Sequence, residues 1–280
     1  MENLSYEILH GASLILLFMF IVLFSKMIND ILTPYKVDDE FTNKDNVALS
    51  TSIGGYFGAT TIVYVGAFLG PTRGIIMDLL FVGGYAIFGV FLLNISRFIN
   101  DRLILYKFSN VKEIIEDRNV GTGAVQFGSY IASGLIVAGA IHGEGGGILT
   151  ALAFFALGQM GLIAFTWVYN IITPFDIHEE IENDNVAAGV ALGGTLVAVG
   201  IILMKGASGD FISWTYNLSI FGMDVMLVFI LLPAVRIFFD KIIIPNTALN
   251  HEIQFDRNLG AGLLEMIMAI SFSIILFFTM

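Results

Sequence analysis

The sequence predicts an all-α integral membrane protein: eight transmembrane helices arranged as four parallel two-helix hairpin repeats. Three observations predict it. Of the 280 residues, 56% are hydrophobic and only 13% are charged, about half the charged share of an ordinary soluble domain. Eight apolar stretches of helix length follow one another, at about 6–28, 47–70, 74–96, 120–141, 148–169, 186–204, 213–238 and 259–280. Each is close to the roughly 20 residues that a spanning helix needs. Finally, Glu followed six residues later by Asn recurs four times, just ahead of the even-numbered stretches: Glu40/Asn46, Glu113/Asn119, Glu179/Asn185 and Glu252/Asn258.

The first span begins close to the first residue. Residues 1–10 carry Glu2 and Glu7 and no base, so they lack the cationic region of a signal peptide. The connection to the second span carries Lys26, Lys36 and Lys44, and the next motif-bearing connection carries Arg97, Arg102, Lys107, Lys112 and Arg118. Arg236, Lys241 and Arg257 lie in the last one. Of the 13 Lys and Arg residues, only Arg73 and Lys205 lie on the other side. Orientation follows the count of Lys and Arg in short loops. The motif-bearing connections are therefore expected in the cytoplasm, and both termini outside a bacterial inner membrane. No cysteine is present, which excludes disulfides and thiolate metal sites.

Two spans per repeat keep every copy in the same orientation, so the repeats are parallel. They are of two kinds. The residue before the Asn is Asp45, Arg118, Asp184 and Arg257 in turn: acid, base, acid, base. The first and third copies continue into double glycines, Gly54-Gly55 and Gly193-Gly194, and the second and fourth into Gly121-x-Gly123 and Gly260-x-Gly262. A two-hairpin unit, 1–141, duplicated as 148–280, accounts for this, with the glycine-rich seam 142–147 as a flexible outer link. The expected symmetry is pseudo-twofold, with a weaker pseudo-fourfold.

The recurring Glu-x5-Asn, the Asn leading into a small-residue helix, and the two-span repeat resemble the bacterial membrane family called domain of unknown function 350. That resemblance covers nearly the whole chain and implies an all-helical inner-membrane protein. It implies no activity.

Each motif residue has a structural and a functional reading. Asn is a preferred N-cap, because its side-chain oxygen takes up an orphan backbone N–H. The alternative is a ring of four amides and helix N-termini that binds an anion. The four Glu fix one hairpin against the next, or form an acidic ring at a pore mouth. The alternating Asp45, Arg118, Asp184 and Arg257 place an acid beside a base around an axis, a charge clasp that sets hairpin order rather than an ion filter.

Within the spans, ionisable groups are few. Asp224 lies about eleven residues into the seventh span, near mid-bilayer, where a charge costs roughly 3 kcal/mol or more. Asp78 and Glu265 lie shallower, about 9 Å in. Glu265 and Gln126 both stand seven residues after their Asn. These groups are expected either to bond between helices or to line an ion or proton path. His178-Glu179 and His251-Glu252 lack a third ligand, so no metal site and no cofactor is expected. Gly54-x-x-x-Gly58 and Gly189-x-x-x-Gly193 mark close helix approach, with spans two, four and six packed inside.

No phosphate loop, nucleophile–His pair, Rossmann pattern or zinc signature occurs, so no enzymatic activity is expected. The net charge of −11 and the absence of a basic patch argue against nucleic acid. The partners that remain are the lipid bilayer, a second copy of the chain in a homo-oligomer, and a cytoplasmic protein. Two functions follow. One is permeation of an ion or small solute along the repeat axis, past Gln126, Glu265 and Asp224. The other is a non-transporting scaffold that recruits a cytoplasmic partner or organises lipid through its acidic connections.

Overall fold

The structure is a computed structural model that describes residues 2–70, 72–243 and 247–280. Among the described residues every regular element is a helix. The order is α1 (Glu2–Leu32), α2 (Val37–Thr42), α3 (Val47–Phe68), α4 (Ile75–Leu103), α5 (Asn110–Ile115) and α6 (Val120–Ile141). Then follow α7 (Ile148–Ile172), α8 (Ile177–Glu182), α9 (Val186–Ala207), α10 (Trp214–Phe238), α11 (Leu249–Gln254) and α12 (Leu259–Thr279). A π-helical turn, Phe239–Ile243, continues α10.

Among the described residues, seven helices are long and apolar enough to cross a membrane: α1, α4, α6, α7, α9, α10 and α12. The eighth expected span, α3, has the length, 22 residues, but is diluted by Ser50, Thr51, Ser52, Thr60, Thr61 and several glycines. Its hydroxyls are nonetheless satisfied internally. Ser50, Thr51, Thr60 and Thr61 each donate to the carbonyl four residues earlier, at 2.8–2.9 Å, which removes much of the cost of holding them in an apolar surround.

The small-residue helices pack side by side in the order α3, α6, α9, α12. On the N-terminal side α1 and α4 flank α3, and α7 and α10 flank α9. No substantial packing joins α12 to α3. The arrangement is therefore an open row, and the axis expected to relate the four hairpins is not enclosed. In lipid, helices associate through close van der Waals contact rather than a hydrophobic drive, and the row is built accordingly. A Cβ on Gly128 would collide with the backbone of Gly193, and one on Gly134 or Gly200 with Ala59 or Ala132. Spans four and six, α6 and α9, are the most buried, as expected from their composition. Gly189 and Gly193 serve the expected close approach to α6, but a Cβ on Gly54 would meet nothing within 4 Å.

The seam 142–147 is not a free link. Glu144 is tied twice to the α9–α10 connection: its N–H donates to Asp210 Oδ1 at 2.7 Å, and its carbonyl accepts from Phe211 N–H at 2.8 Å. Gly143 and Gly145, at φ 115° and 78°, give the chain the left-handed turns this requires.

Candidate functional site

The four motif connections share one geometry. Asp45, Arg118, Asp184 and Arg257 have φ of 48°, 53°, 56° and 47°, the sparsely populated left-handed region for side chains with a Cβ. That turn folds the chain back on the preceding short helix. The N–H of Asn46, Asn119 and Asn258 then donates to the carbonyl of Glu40, Glu113 and Glu252 at 3.2, 2.8 and 2.8 Å. Each Asn next caps its long helix, its Oδ1 accepting from the N–H of Leu49, Thr122, Ala188 and Gly260 respectively.

The amide nitrogen does the rest. Asn46 Nδ2 donates to Glu40 Oε2 at 3.3 Å and to the Ile114 carbonyl at 2.9 Å. Asn119 Nδ2 donates to Glu113 Oε2 at 2.8 Å and to the Ile181 carbonyl at 2.6 Å. Asn185 Nδ2 donates to Glu180 Oε2 at 2.9 Å and to the Ile253 carbonyl at 2.8 Å. An amide has two N–H donors, and here one goes to the motif carboxylate and the other to the short helix of the next hairpin. Asn258 Nδ2 donates to Glu252 Oε2 at 2.8 Å and to no backbone carbonyl among the described residues.

Two expectations are corrected here. The third carboxylate is Glu180, not Glu179, because Asn185 N–H closes on the Glu180 carbonyl at 2.9 Å; this turn is one residue shorter and leaves Glu179 exposed. And no ion pair joins Asp45, Arg118, Asp184 and Arg257 among the described residues. The left-handed turn points these side chains outward. Two of them contact the backbone of the preceding hairpin instead: Asp184 Oδ1 accepts from Val120 N–H at 3.2 Å, and Arg257 donates to the Asn183 carbonyl at 3.1 Å.

Electrostatics differ among the four carboxylates. Glu40 is buried and meets Lys44 Nζ at 2.5 Å. Burial pushes the Glu113 carboxyl above the usual range, with the Asn119 amide opposing it. Glu252 is held below that range by its bonds from Asn258 and Thr247. His178, 1% exposed, sits in the α7–α9 connection with its Nε2 2.7 Å from the Ile104 carbonyl. Burial holds its imidazole below its ordinary value. No group of three metal-ligating side chains occurs among the described residues.

The deeper polar groups do not converge. Glu265 lies between α7, α10 and α12, its Oε1 accepting from Tyr169 Oη and Arg236 Nε, both at 2.7 Å. Its Oε2 is buried without a partner, beside a cavity of about 20 Å³ lined by Phe165, Thr195 and Leu232, room for about one water. Gln126 meets α3 and α4 instead, accepting from Ser52 Oγ at 2.6 Å and donating to Asp101 at 3.4 Å. Asp224, 1% exposed, is neutralised by Lys205, whose Nζ lies 2.9 and 3.1 Å from its two oxygens. Asp78 accepts from Arg73 N–H at 2.9 Å and lies 3.0 Å from His10 Nε2, at a cavity on the side opposite the motif. Sequence reasoning missed Tyr169, Glu180 and the pairing roles of Lys205 and Arg236. A base in an otherwise uncharged helix was the available signal for Lys205.

No solved structure matches the chain. A "UPF0719 transmembrane protein" of Aquifex aeolicus (strain VF5) is 26% identical over 201 residues, covering 70% of this chain and 72% of that protein. The "UPF0719 inner membrane protein YjfL" of Escherichia coli (strain K12) is 30% identical over 110 residues, covering 36% of this chain and 79% of its own length. The protein is thus a transmembrane protein of bacterial inner-membrane kind. A family model described as Domain of Unknown Function (DUF350) matches it twice, over residues 3–141 and 145–280, and the chain belongs to that family.

Proposed function

We propose that this protein is a non-transporting, non-enzymatic membrane scaffold. In this reading α3 is an eighth crossing, the four hairpins are repeats of one unit, and the motif face is cytoplasmic with both termini outside. The observation that carries it is the open row: α3, α6, α9 and α12 enclose no axis, and the expected path residues Gln126, Glu265 and Asp224 bond to separate sets of partners, Ser52 and Asp101, Tyr169 and Arg236, and Lys205. A transport path needs polar groups that succeed one another across the bilayer. Here both oxygens of Asp224 meet Lys205, and Oε1 of Glu265 meets Arg236. The four joints fix the spacing of α2, α5, α8 and α11; α2 and α8 and the end of α5 present exposed Asp38, Asp39, Glu182 and Glu116 to a basic cytoplasmic partner.

Purified protein in liposomes is expected to pass no common ion above empty vesicles; flux above that background overturns the reading. The absence of cysteine makes topology directly testable. Single cysteines at Asp39 and Gly70 are expected to react with a membrane-impermeant maleimide from opposite sides; reaction from one side removes α3 as a span. One observation favours a second reading, proton-coupled transport: the buried, unpartnered Glu265 Oε2 at its cavity. It requires a proton flux that Glu265→Gln abolishes.

A further inference from the structure

The row of four helices is open at both ends, and the two ends complement each other. At each internal interface one helix brings a glycine to the other: Gly55 against Phe127, Gly128 against Gly193, Gly194 against Met266. These three contacts occupy one level of the row. The next position in the same series on α12 is Ile267, 139 residues after Gly128, and it is 51% exposed. The position that would receive it, 73 residues before Phe127, is Gly54, where a Cβ would meet nothing within 4 Å. A large apolar side chain at one end thus corresponds to an empty glycine at the other.

The same correspondence holds at two further levels. Gly134 meets Ala59 and Gly200 meets Ala132 inside the row; at its ends the matching positions are Thr61 and Ser271, both exposed. At the motif level, Asn46, Asn119 and Asn185 reach the carbonyls of Ile114, Ile181 and Ile253, which are 2%, 0% and 0% exposed. Asn258 has no such acceptor, and the residue matching those isoleucines in the first hairpin, Phe41, is 60% exposed.

We propose that these ends form a fifth joint between two copies of the chain: α12 of one docks on α3 of the next, with Ile267 over Gly54, Ser271 by Thr61, and Asn258 Nδ2 donating to the Phe41 carbonyl. The partner is a second copy because the contact continues, residue for residue, the interface already made three times within the chain. It is heterologous, head to tail, so it closes into a ring or extends as a file according to the rotation per step. The inference is independent of whether the protein transports anything, and its test measures no flux.

The test is disulfide cross-linking in native membranes. Thr61→Cys with Ser271→Cys in one chain is expected to give a ladder of oligomers under mild oxidation. Each single variant is expected to give none, because a head-to-tail contact never places two copies of the same residue together. Adding Gly54→Leu, at a position where a Cβ meets nothing within 4 Å in its own chain, is expected to reduce the ladder about tenfold, since the seam loses its close approach. Circular dichroism and maleimide labelling of the same variant confirm an unchanged monomer fold. Three results overturn the proposal. One is a double variant that cross-links no more than the singles while both thiols react with maleimide, which leaves lipid or another protein as the cover of these faces. Another is dimer formation by Thr61→Cys alone. The third is a ladder indifferent to Gly54→Leu.

Discussion

Asn119 donates from its side-chain amide to the backbone carbonyl of Ile181, 2.6 Å away and 62 residues later in the chain. This bond crosses from one hairpin to the next, while the oxygen of the same side chain caps α6 through Thr122 N–H at 2.9 Å. One residue therefore starts a helix and fixes its neighbour. Replacing Asn119 with Ala removes a cap, about 1 kcal/mol. It also leaves the buried Glu113 carboxylate and the Ile181 carbonyl short of a donor, about 1–3 kcal/mol each. Asn258→Ala loses the cap and an exposed bond only. Asn119→Ala is thus expected to destabilise about 3 kcal/mol or more, and Asn258→Ala about 1 kcal/mol, measured by unfolding in mixed detergent micelles. Equal losses would show that the cross-hairpin bond adds nothing.

The residue before each Asn is held at positive φ without forming an ion pair. Arg118, at φ 53°, is exposed and serves the turn. Glycine occupies that conformation without the Cβ penalty, about 1 kcal/mol or more in the left-handed region, against a larger loss of chain entropy on folding. Arg118→Gly is therefore expected to be neutral or stabilising by up to about 1 kcal/mol. A charge clasp would make the same change destabilising. Thermal unfolding of the variant beside Arg118→Ala, which keeps the strain and loses the charge, separates the two.

His178 gives the protein a pH dependence whose sign is fixed. It is buried in the folded state with its imidazole below the ordinary value of 6.5, so folding favours the neutral ring. Its contribution is complete above pH 6.5 and is lost as pH falls through the lowered value. Asp176, with Oδ1 3.5 Å from Nδ1, opposes the shift without reversing it. Wild type is expected to lose melting temperature between about pH 6.5 and 5, and His178→Gln to lose less over that interval. Parallel curves for the two proteins would remove His178 as the cause.

Helix positions and the Asn caps were legible because both rest on local rules: apolar runs of spanning length, and Asn ahead of a small-residue helix. The packing order was legible only in part. Four matching Asn suggested a ring, but closure depends on the rotation between neighbouring hairpins, which no local pattern carries. The charge alternation at Asp45, Arg118, Asp184 and Arg257 was visible, yet its geometry is set by backbone φ, which turns the side chains away from one another. The Glu180-for-Glu179 exchange rests on a turn shortened by one residue where two adjacent Glu fit the motif almost equally. Asp224 was singled out as needing a partner, water or a proton, and Lys205 Nζ lies 2.9 Å from it. Lys205 reaches it because the α9–α10 connection is short, a proximity that spacing along separate spans does not reveal.

The Arg236–Glu265 pair separates a pairing role from a catalytic or transporting one. Arg236 Nε lies 2.7 Å from Glu265 Oε1, and both side chains are largely buried. Removing one partner leaves an uncompensated charge in a low-dielectric site, a loss of about 3–5 kcal/mol. Removing both and filling the space with apolar side chains costs little or stabilises. Arg236→Leu is thus expected to be strongly destabilised, and Arg236→Leu with Glu265→Leu to return to within about 1 kcal/mol of wild type. The Tyr169 hydroxyl, which donates to Glu265 Oε1 at 2.7 Å, loses its acceptor in the double variant, so adding Tyr169→Phe is expected to recover part of the remainder. A double variant as unstable as the single one would mean that Glu265 is held by something other than its base. The cavity at its free Oε2 would then be the place to look.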